Sequence, residues 1–175
     1  ILQSPDVTSS LIARLSLDPR ADGKPEPILG PSMQGVFGAG FGKDHALFVG
    51  TFTSPGAMPR TAVYTRKGVP VAELPSVAET PPFVPRVTVA PFAASSAKGF
   101  ATAIVLPRDF DPNRKYPVIV DVYGGPKHSH VVAGMRNWLL PQWLADQGFI
   151  VVAFDNRGTP GRGRDWERAV YQKFG

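Results

Sequence analysis

Residues 115–126 read Lys-Tyr-Pro-Val-Ile-Val-Asp-Val-Tyr-Gly-Gly-Pro, an apolar run that ends at a tyrosine, two glycines and a proline. β-Branched residues, which a buried strand prefers, dominate residues 118–122. The glycines allow a turn and leave the backbone amides accessible, and the proline cannot continue a hydrogen-bonded ladder. Open α/β folds place their sites at the carboxyl ends of such strands. The segment therefore predicts a buried strand that presents Tyr123 at the edge of a sheet.

The residues around this segment predict further elements of a parallel sheet. Apolar residues at helical spacing indicate a helix over 136–147, with Gly148 as its C-terminal stop. Residues 149–154 form a second continuous apolar strand, and 165–174 are typical of a short helix. On the other side, 87–92 and 100–106 indicate a pair of strands. A strand, helix, strand, helix order after a β-rich region is typical of the start of an α/β sheet.

The first eighty residues indicate short strands separated by turns. These strands are predicted at 11–17, 35–41, 46–53, 61–65 and 69–74, with a loop at 54–59. In the first of them Leu11, Ala13, Leu15 and Leu17 alternate with the other residues, and the glycine-rich second strand is expected to pack closely against another. Such spacing is typical of a sandwich, a barrel or a propeller. The length suffices for about one four-stranded propeller blade and a fragment.

Residues 79–85 are the predicted boundary between the two parts, because three prolines in five residues form an extended linker. The chain is therefore divided into 1–82 and 83–175. Its amino terminus has neither a basic region nor a long apolar stretch, so it does not resemble a signal peptide. It also lacks an initiating methionine, and we expect an internal piece of a longer protein.

The composition excludes several classes of protein. The chain has 175 residues, 43% of them hydrophobic, which argues against disorder. Its net charge of +5 comes from basic residues scattered among acids, so a solvated surface is favoured over a nucleic-acid site. There is no cysteine, which excludes disulfides and thiolate metal ligands and leaves the compartment open. No apolar run approaches the roughly 18 residues of a membrane span.

Three ordered motifs resemble those of prolyl oligopeptidase-family serine peptidases, most closely the dipeptidyl peptidase branch. They are residues 106–112 (Leu-Pro-Arg-Asp-Phe-Asp-Pro), residues 115–126, and residues 154–159 (Phe-Asp-Asn-Arg-Gly-Thr). The resemblance covers 83–175 well and the β-rich start only in outline. It implies α/β architecture: 83–175 would be the N-terminal portion of an α/β-hydrolase peptidase domain, and 1–82 antiparallel strands from the C-terminal portion of a β-propeller cap. It also implies a Ser-Asp-His triad that cleaves peptide bonds through an acyl-enzyme.

The triad itself cannot be located in this sequence. A nucleophile elbow needs Gly-x-Ser-x-Gly, which does not occur; residues 30–35 come nearest but are one residue too long. The three histidines, His45, His128 and His130, precede the place where the serine should come, whereas the order in α/β hydrolases is serine, acid, histidine. We therefore expect His128 and His130 to be loop residues beside the site.

The resemblance assigns Tyr123 to the oxyanion hole. In the family, the tyrosine of the Tyr-Gly-Gly-Pro loop donates its hydroxyl to the tetrahedral oxyanion. Tyr123 stands at that position, and Gly124, Gly125 and Pro126 form the site loop. The alternative is an aromatic ring that packs against the sheet end.

Other motifs are weaker. Asp155 and Arg157 indicate a loop ion pair, and the arginines at 157, 162, 164 and 168 a solvated or interdomain face. Residues 38–44 resemble a phosphate-binding loop, but their glycine spacing is wrong and Asp44 replaces the required Ser or Thr. No spacing typical of metal ligands occurs, and no cofactor is expected.

The sequence therefore predicts part of a serine peptidase that acts on short peptides, supplies one oxyanion donor and is inactive by itself. Two alternatives stay open: a non-catalytic propeller and α/β interaction module, and an esterase on the same fold. The predicted partners are peptide substrates, the remainder of the same polypeptide and possible further copies. The strand that ends at Tyr123 would leave an apolar edge if nothing more paired with it, which is an aggregation hazard.

Overall fold

The computed structural model describes residues 2–3, 8–30, 33–92, 99–123 and 127–173. These residues form three β-sheets and three short helices. The strands are β1 (Leu2–Gln3), β2 (Ser10–Arg14), β3 (Glu26–Leu29), β4 (Val36–Phe41), β5 (Leu47–Ser54), β6 (Ala57–Thr65), β7 (Pro70–Leu74), β8 (Val87–Phe92), β9 (Phe100–Val105), β10 (Val118–Asp121) and β11 (Ile150–Phe154). The helices are the 3-10 helix Met135–Trp138, α1 (Leu139–Ala145) and α2 (Arg164–Arg168).

Strands β4 to β7 form an antiparallel meander in the order β4-β5-β6-β7. Phe37 from β4 and Phe48 from β5 are buried together with Ile12 from β2. Tyr64 stacks on Phe48 with ring centroids 5.3 Å apart. The four consecutive strands predicted over 35–74 are therefore confirmed, and their core is largely aromatic.

The loop predicted at 54–59 is wrong. Only Pro55 and Gly56 form the turn, and β6 begins at Ala57, so that Pro59 lies inside a strand. Proline cannot donate to a ladder and is tolerated only at edges or irregular positions. The pairing of β5 with β6 is irregular at this point, and β7 pairs with β6 only from Thr61 onward. Pro59 thus occupies a position where no ladder hydrogen bond from its nitrogen is needed.

The strand predicted at 11–17 ends earlier and buries the other face. Strand β2 stops at Arg14, where its pairing with β3 ends. Ile12 is only 1% exposed, whereas Leu15 and Leu17 are exposed. The apolar alternation of 11–17 was misleading because the core beneath β2 receives the even-numbered side chain.

The expected close packing of the glycine-rich strand holds only where that segment begins. A Cβ atom at Gly35 would lie 2.5 Å from the carbonyl oxygen of Thr53, a distance that side chains do not tolerate. At Gly38 and Gly40, a Cβ atom would meet nothing within 4 Å. The prediction is therefore wrong for these two glycines.

Strands β8 to β11 form a mixed sheet in the order β10-β11-β9-β8. β10 and β11 are parallel, and the other neighbours are antiparallel. The 3-10 helix and α1 connect the parallel pair, which confirms the predicted strand–helix–strand unit. One face of the sheet is buried against Trp138 and Ala145; its residues are Val89, Ala101, Ala103, Val105, Val151 and Ala153.

Both predicted helices are shorter than expected. α1 begins at Leu139, after the 3-10 helix, rather than at residue 136. This start places Pro141 in the first turn, where a backbone N–H has no intrahelical partner to lose. Gly148 has φ +96°, as its predicted stop position requires. Within the described ranges, no helix has the length and apolar character needed to cross a bilayer.

The second face of the mixed sheet is apolar and open. Val118 and Val120 of β10 and Ile104 of β9 are exposed on it. A cavity of about 400 Å³ lies along this face; it is lined by Phe92, Phe100, Thr102, Ile104, Val152, Phe154 and Asn156. Strand β10 is an edge strand among the described residues, since it pairs only with β11. Parallel strands are usually covered on both faces.

Candidate active site

The carboxyl ends of the parallel strands β10 and β11 form the candidate site. β10 ends at Asp121, and two residues later Tyr123 is 52% exposed. Gly124, Gly125 and Pro126, the predicted site loop, lie outside the described residues. The ring of Tyr123 therefore lies at the rim of the sheet and not within the core.

Two histidines from the segment after the loop contact the Tyr123 ring. The imidazole of His128 meets it edge-on, with centroids 4.8 Å apart and an interplanar angle of 63°. The imidazole of His130 is nearly parallel to it, with centroids 6.5 Å apart and an angle of 20°. Both distances lie in the range of favourable aromatic pairs. The structure thus places the two histidines beside Tyr123, as the sequence predicted.

His130 is also tied to Asp121 at the end of β10. Its Nε2 lies 3.0 Å from Oδ2 of Asp121, and because an ionised carboxylate only accepts, Nε2 is the donor. On its other side, His130 meets the edge of Trp138 at a centroid distance of 6.5 Å. The sequence reasoning missed this contact; an aspartate as the last residue of an apolar strand was the signal for it.

Asp155, the residue after β11, is 5% exposed and accepts backbone hydrogen bonds. Its Oδ1 accepts the N–H of His130 at 2.7 Å and that of Val131 at 3.2 Å. Burial raises the pKa of the Asp155 carboxyl, although the two N–H groups act in the opposite direction. Asp155 therefore fixes the segment that carries the two histidines to the end of β11.

The predicted ion pair between Asp155 and Arg157 is wrong. Among the described residues no such pair forms within 4 Å, and Arg157 is exposed. The carboxylate of Asp155 accepts the backbone N–H groups of residues 130 and 131 instead. This agrees with the rule that buried polar groups are nearly always hydrogen-bonded.

The loop after β11 is held by Gly158. Its carbonyl accepts the N–H of Lys127 at 3.1 Å, which joins this loop to the end of the site loop. Gly158 has φ +97°, and a Cβ atom there would lie 2.7 Å from the side chain of Val170. Only glycine fits both the backbone conformation and the space.

The four arginines of this region do not share one environment. Arg157, Arg164 and Arg168 are exposed, as predicted. Arg162 is partly buried: its guanidinium donates to the carbonyl of Gly99 at 2.7 Å and lies 3.9 Å above the ring of Trp166. The solvated-face prediction is therefore wrong for Arg162, which binds α2 to the start of β9.

We expect the Asp155→Asn substitution to change the pH dependence of stability. The raised pKa lets the folded protein hold a proton that the unfolded chain has already released, so Asp155 contributes stability at low pH. That contribution begins to fall at the unfolded pKa, about 3.9, and is lost as the pH rises through the raised folded-state pKa. Urea titrations across this interval should show a smaller decline in the unfolding free energy for Asp155→Asn than for the unmodified chain.

The control for this experiment is Asp165→Asn, because Asp165 is exposed in the first turn of α2. The unfolding free energy of Asp165→Asn should decline with pH as that of the unmodified chain does. If the unfolding free energies of Asp155→Asn and the unmodified chain decline equally, burial of Asp155 does not affect the pH dependence of stability.

The described residues contain no cluster of three or more His, Asp or Glu side chains that could hold a metal ion. The side chains that meet near the rim supply a phenol, two imidazoles and two carboxylates. A neutral phenol hydroxyl is a suitable hydrogen-bond donor for negative charge that develops during acyl transfer. No serine with elbow spacing occurs in the chain to generate that charge.

Comparisons with known proteins relate this chain to peptidases. The model of the prolyl oligopeptidase family matches residues 137–175. Dipeptidyl-peptidase 5 of Porphyromonas gingivalis is 39% identical over 74 residues, covering 42% of this chain and 11% of that protein. Human dipeptidyl peptidase 8 is 37% identical over 89 residues, covering 48% of this chain and 10% of that protein. The crystal structure of P. gingivalis dipeptidyl peptidase 4 superposes with a TM-score of 0.75 and 27% identity, covering 96% of this chain and 24% of that one.

These matches confirm the resemblance predicted from the motifs and extend the structural likeness into the β-rich part. The chain spans about a tenth of the curated relatives and about a quarter of the solved structure. Tyr123 lies before the residues that the family model matches.

Proposed function

Because this chain is related to the prolyl oligopeptidase family, we propose that it forms part of a serine peptidase that cleaves short peptides through an acyl-enzyme. The mixed sheet of 83–175 is then the N-terminal portion of an α/β-hydrolase domain. The meander of β4 to β7 belongs to the last part of a β-propeller cap, within 1–82. The antiparallel four-stranded meander and the parallel pair β10 and β11 support this division, as does a segment without helix or strand between β7 and β8.

The observation that carries the proposal is the exposed phenol of Tyr123 at the end of β10, beside two imidazoles. Attack of a serine hydroxyl on a peptide carbonyl places negative charge on the carbonyl oxygen. In our proposal, the hydroxyl of Tyr123 donates a hydrogen bond to that oxygen, and Gly124, Gly125 and Pro126 shape the loop that follows. The histidine of the triad takes the proton of the serine hydroxyl and passes it to the leaving nitrogen. Collapse of the intermediate then breaks the C–N bond, releases the protonated amine and leaves the acyl group on the serine.

The triad is supplied by another part of the same polypeptide. The sequence has no Gly-x-Ser-x-Gly, and Asp155, the buried acid that follows β11, is already used by two backbone N–H groups. The open apolar face of the mixed sheet gives that polypeptide a surface to cover. These 175 residues alone are therefore inactive.

The relatives' names indicate the release of dipeptides, and the family's name indicates peptides that contain proline. We therefore assign to the whole protein the release of dipeptides, with a preference for cleavage after proline. Peptide substrates and the remainder of the polypeptide are the proposed partners; a homo-oligomer is compatible with both.

The test is an assay of the full gene product with an Xaa-Pro chromogenic anilide and with a serine-directed fluorophosphonate. We expect turnover of the anilide and one labelled serine, located in a Gly-x-Ser-x-Gly motif beyond Gly175. The 175-residue chain should show neither. A full protein without that motif and without labelling would support the interaction module instead, and turnover of aryl esters but not of anilides would support the esterase.

A further inference from the structure

We propose that His130 is a positioning residue for Tyr123: its imidazole, held by Asp121, supports the phenol in the orientation that the oxyanion requires. The inference rests on the proposed function, because it assigns a task to the same site. It concerns a side chain that neither the motif nor the family match includes, since His130 lies after the Tyr-Gly-Gly-Pro loop and before residue 137.

The side chain of His130 contacts three other side chains. Asp121 accepts its Nε2–H at 3.0 Å, the Trp138 ring lies at an interplanar angle of 67° to it, and the Tyr123 ring lies nearly parallel to it. Trp138 is 1% exposed and is itself fixed, because its Nε1 donates to the carbonyl of Val132 at 3.0 Å. The imidazole is therefore immobilised by the core on one side while it contacts an exposed ring on the other.

Tyr123 needs such a support. About half of its surface is exposed, so little of the core limits its side-chain rotation. An oxyanion donor is effective only when it points to the position of the developing charge before the reaction occurs. The two imidazoles contact the phenol at different interplanar angles, 63° for His128 and 20° for His130, and together they limit its rotation.

A purely structural role for His130 is separable from this one. The contact that ties residues 128–131 to β11 uses the backbone N–H of His130, which Asp155 accepts at 2.7 Å. Substitution of the side chain leaves that hydrogen bond available. Any effect on the reaction that requires the Tyr123 hydroxyl must then come from the imidazole ring.

The experiment is a double-mutant cycle in the full-length protein, with His130→Ala and Tyr123→Phe alone and combined. Loss of one aromatic contact corresponds to about a three- to tenfold effect on rate. We expect His130→Ala to lower kcat by about that factor with little change in KM, and to have no further effect when Tyr123 is already phenylalanine. His130→Phe, which keeps the ring but not the hydrogen bond to Asp121, should have a kcat between those of the unmodified enzyme and His130→Ala.

The control is His45→Ala, because His45 is an exposed histidine of the β-rich part. This variant should have the kcat of the unmodified enzyme. Thermal unfolding of every variant distinguishes loss of fold from loss of rate. The inference would be overturned if His130→Ala lowered kcat by the same factor with tyrosine and with phenylalanine at position 123. It would also be overturned if His130→Ala and His130→Phe lowered kcat equally. If Tyr123→Phe itself has no effect, the oxyanion assignment fails and this inference fails with it; if only His130→Ala has no effect, the oxyanion assignment stands and this inference alone fails.

Discussion

Tyr123→Phe is expected to lower kcat of the full-length peptidase by about 10²–10³-fold, the usual effect of removing one oxyanion-hole donor. The substitution removes a single hydroxyl and keeps the ring that contacts His128 and His130. Because the oxyanion exists only after the serine attacks, the lost hydrogen bond affects the transition state and not substrate binding. KM should therefore change little, and kcat and kcat/KM should fall together.

The matched control is Tyr171→Phe, which removes the same hydroxyl from an exposed residue in the turns after α2. It should have the activity of the unmodified enzyme. Steady-state kinetics on an Xaa-Pro anilide measures both variants. Undiminished turnover in Tyr123→Phe would remove the oxyanion role, and a rise in KM alone would instead place the hydroxyl in ground-state binding.

Much of the mixed sheet could be predicted from the sequence because its strands are continuous apolar runs. Residues 149–154 are apolar throughout, as expected of a strand covered by other elements, and β11 begins and ends within one residue of that prediction. The short strand β3 was missed because Glu26 and Pro27 are unusual in strands. Its pairing with β2, and the burial of Ile12 rather than its neighbours, depend on the position of the meander beneath β2.

The site was only partly predictable for a related reason. Tyr123 was identified because strand, tyrosine and glycines are consecutive in the sequence. The hydrogen bonds from His130 and Val131 to Asp155 join residues 25 and 24 positions apart, which no local pattern encodes. The contact of His130 with Asp121 spans nine positions and requires the chain to return to the strand it has just left. Asp121 is the last residue of one apolar strand and Asp155 directly follows another, and this placement at strand ends is the signal by which they could have been found.

Trp138→Ala is expected to lower the free energy of unfolding by about 3–5 kcal/mol, the usual cost of removing a large aromatic side chain from a core. Trp138 is the largest of the fully buried side chains and fills the space between α1 and the buried face of the mixed sheet. The substitution also leaves the carbonyl of Val132 without its indole donor. Urea unfolding followed by far-ultraviolet circular dichroism measures the change.

Trp143→Ala is the matched control for this effect, because Trp143 lies in α1 five residues later and is 56% exposed. We expect a change within about 0.5 kcal/mol, as for other surface substitutions. Equal losses for the two tryptophans would show that helix propensity, and not burial, determines the result. A small loss at Trp138 would mean that the sheet and α1 do not share one core. Trp138 also contacts the ring of His130, which in turn contacts Tyr123, so this core supports the side chain beside the candidate oxyanion donor.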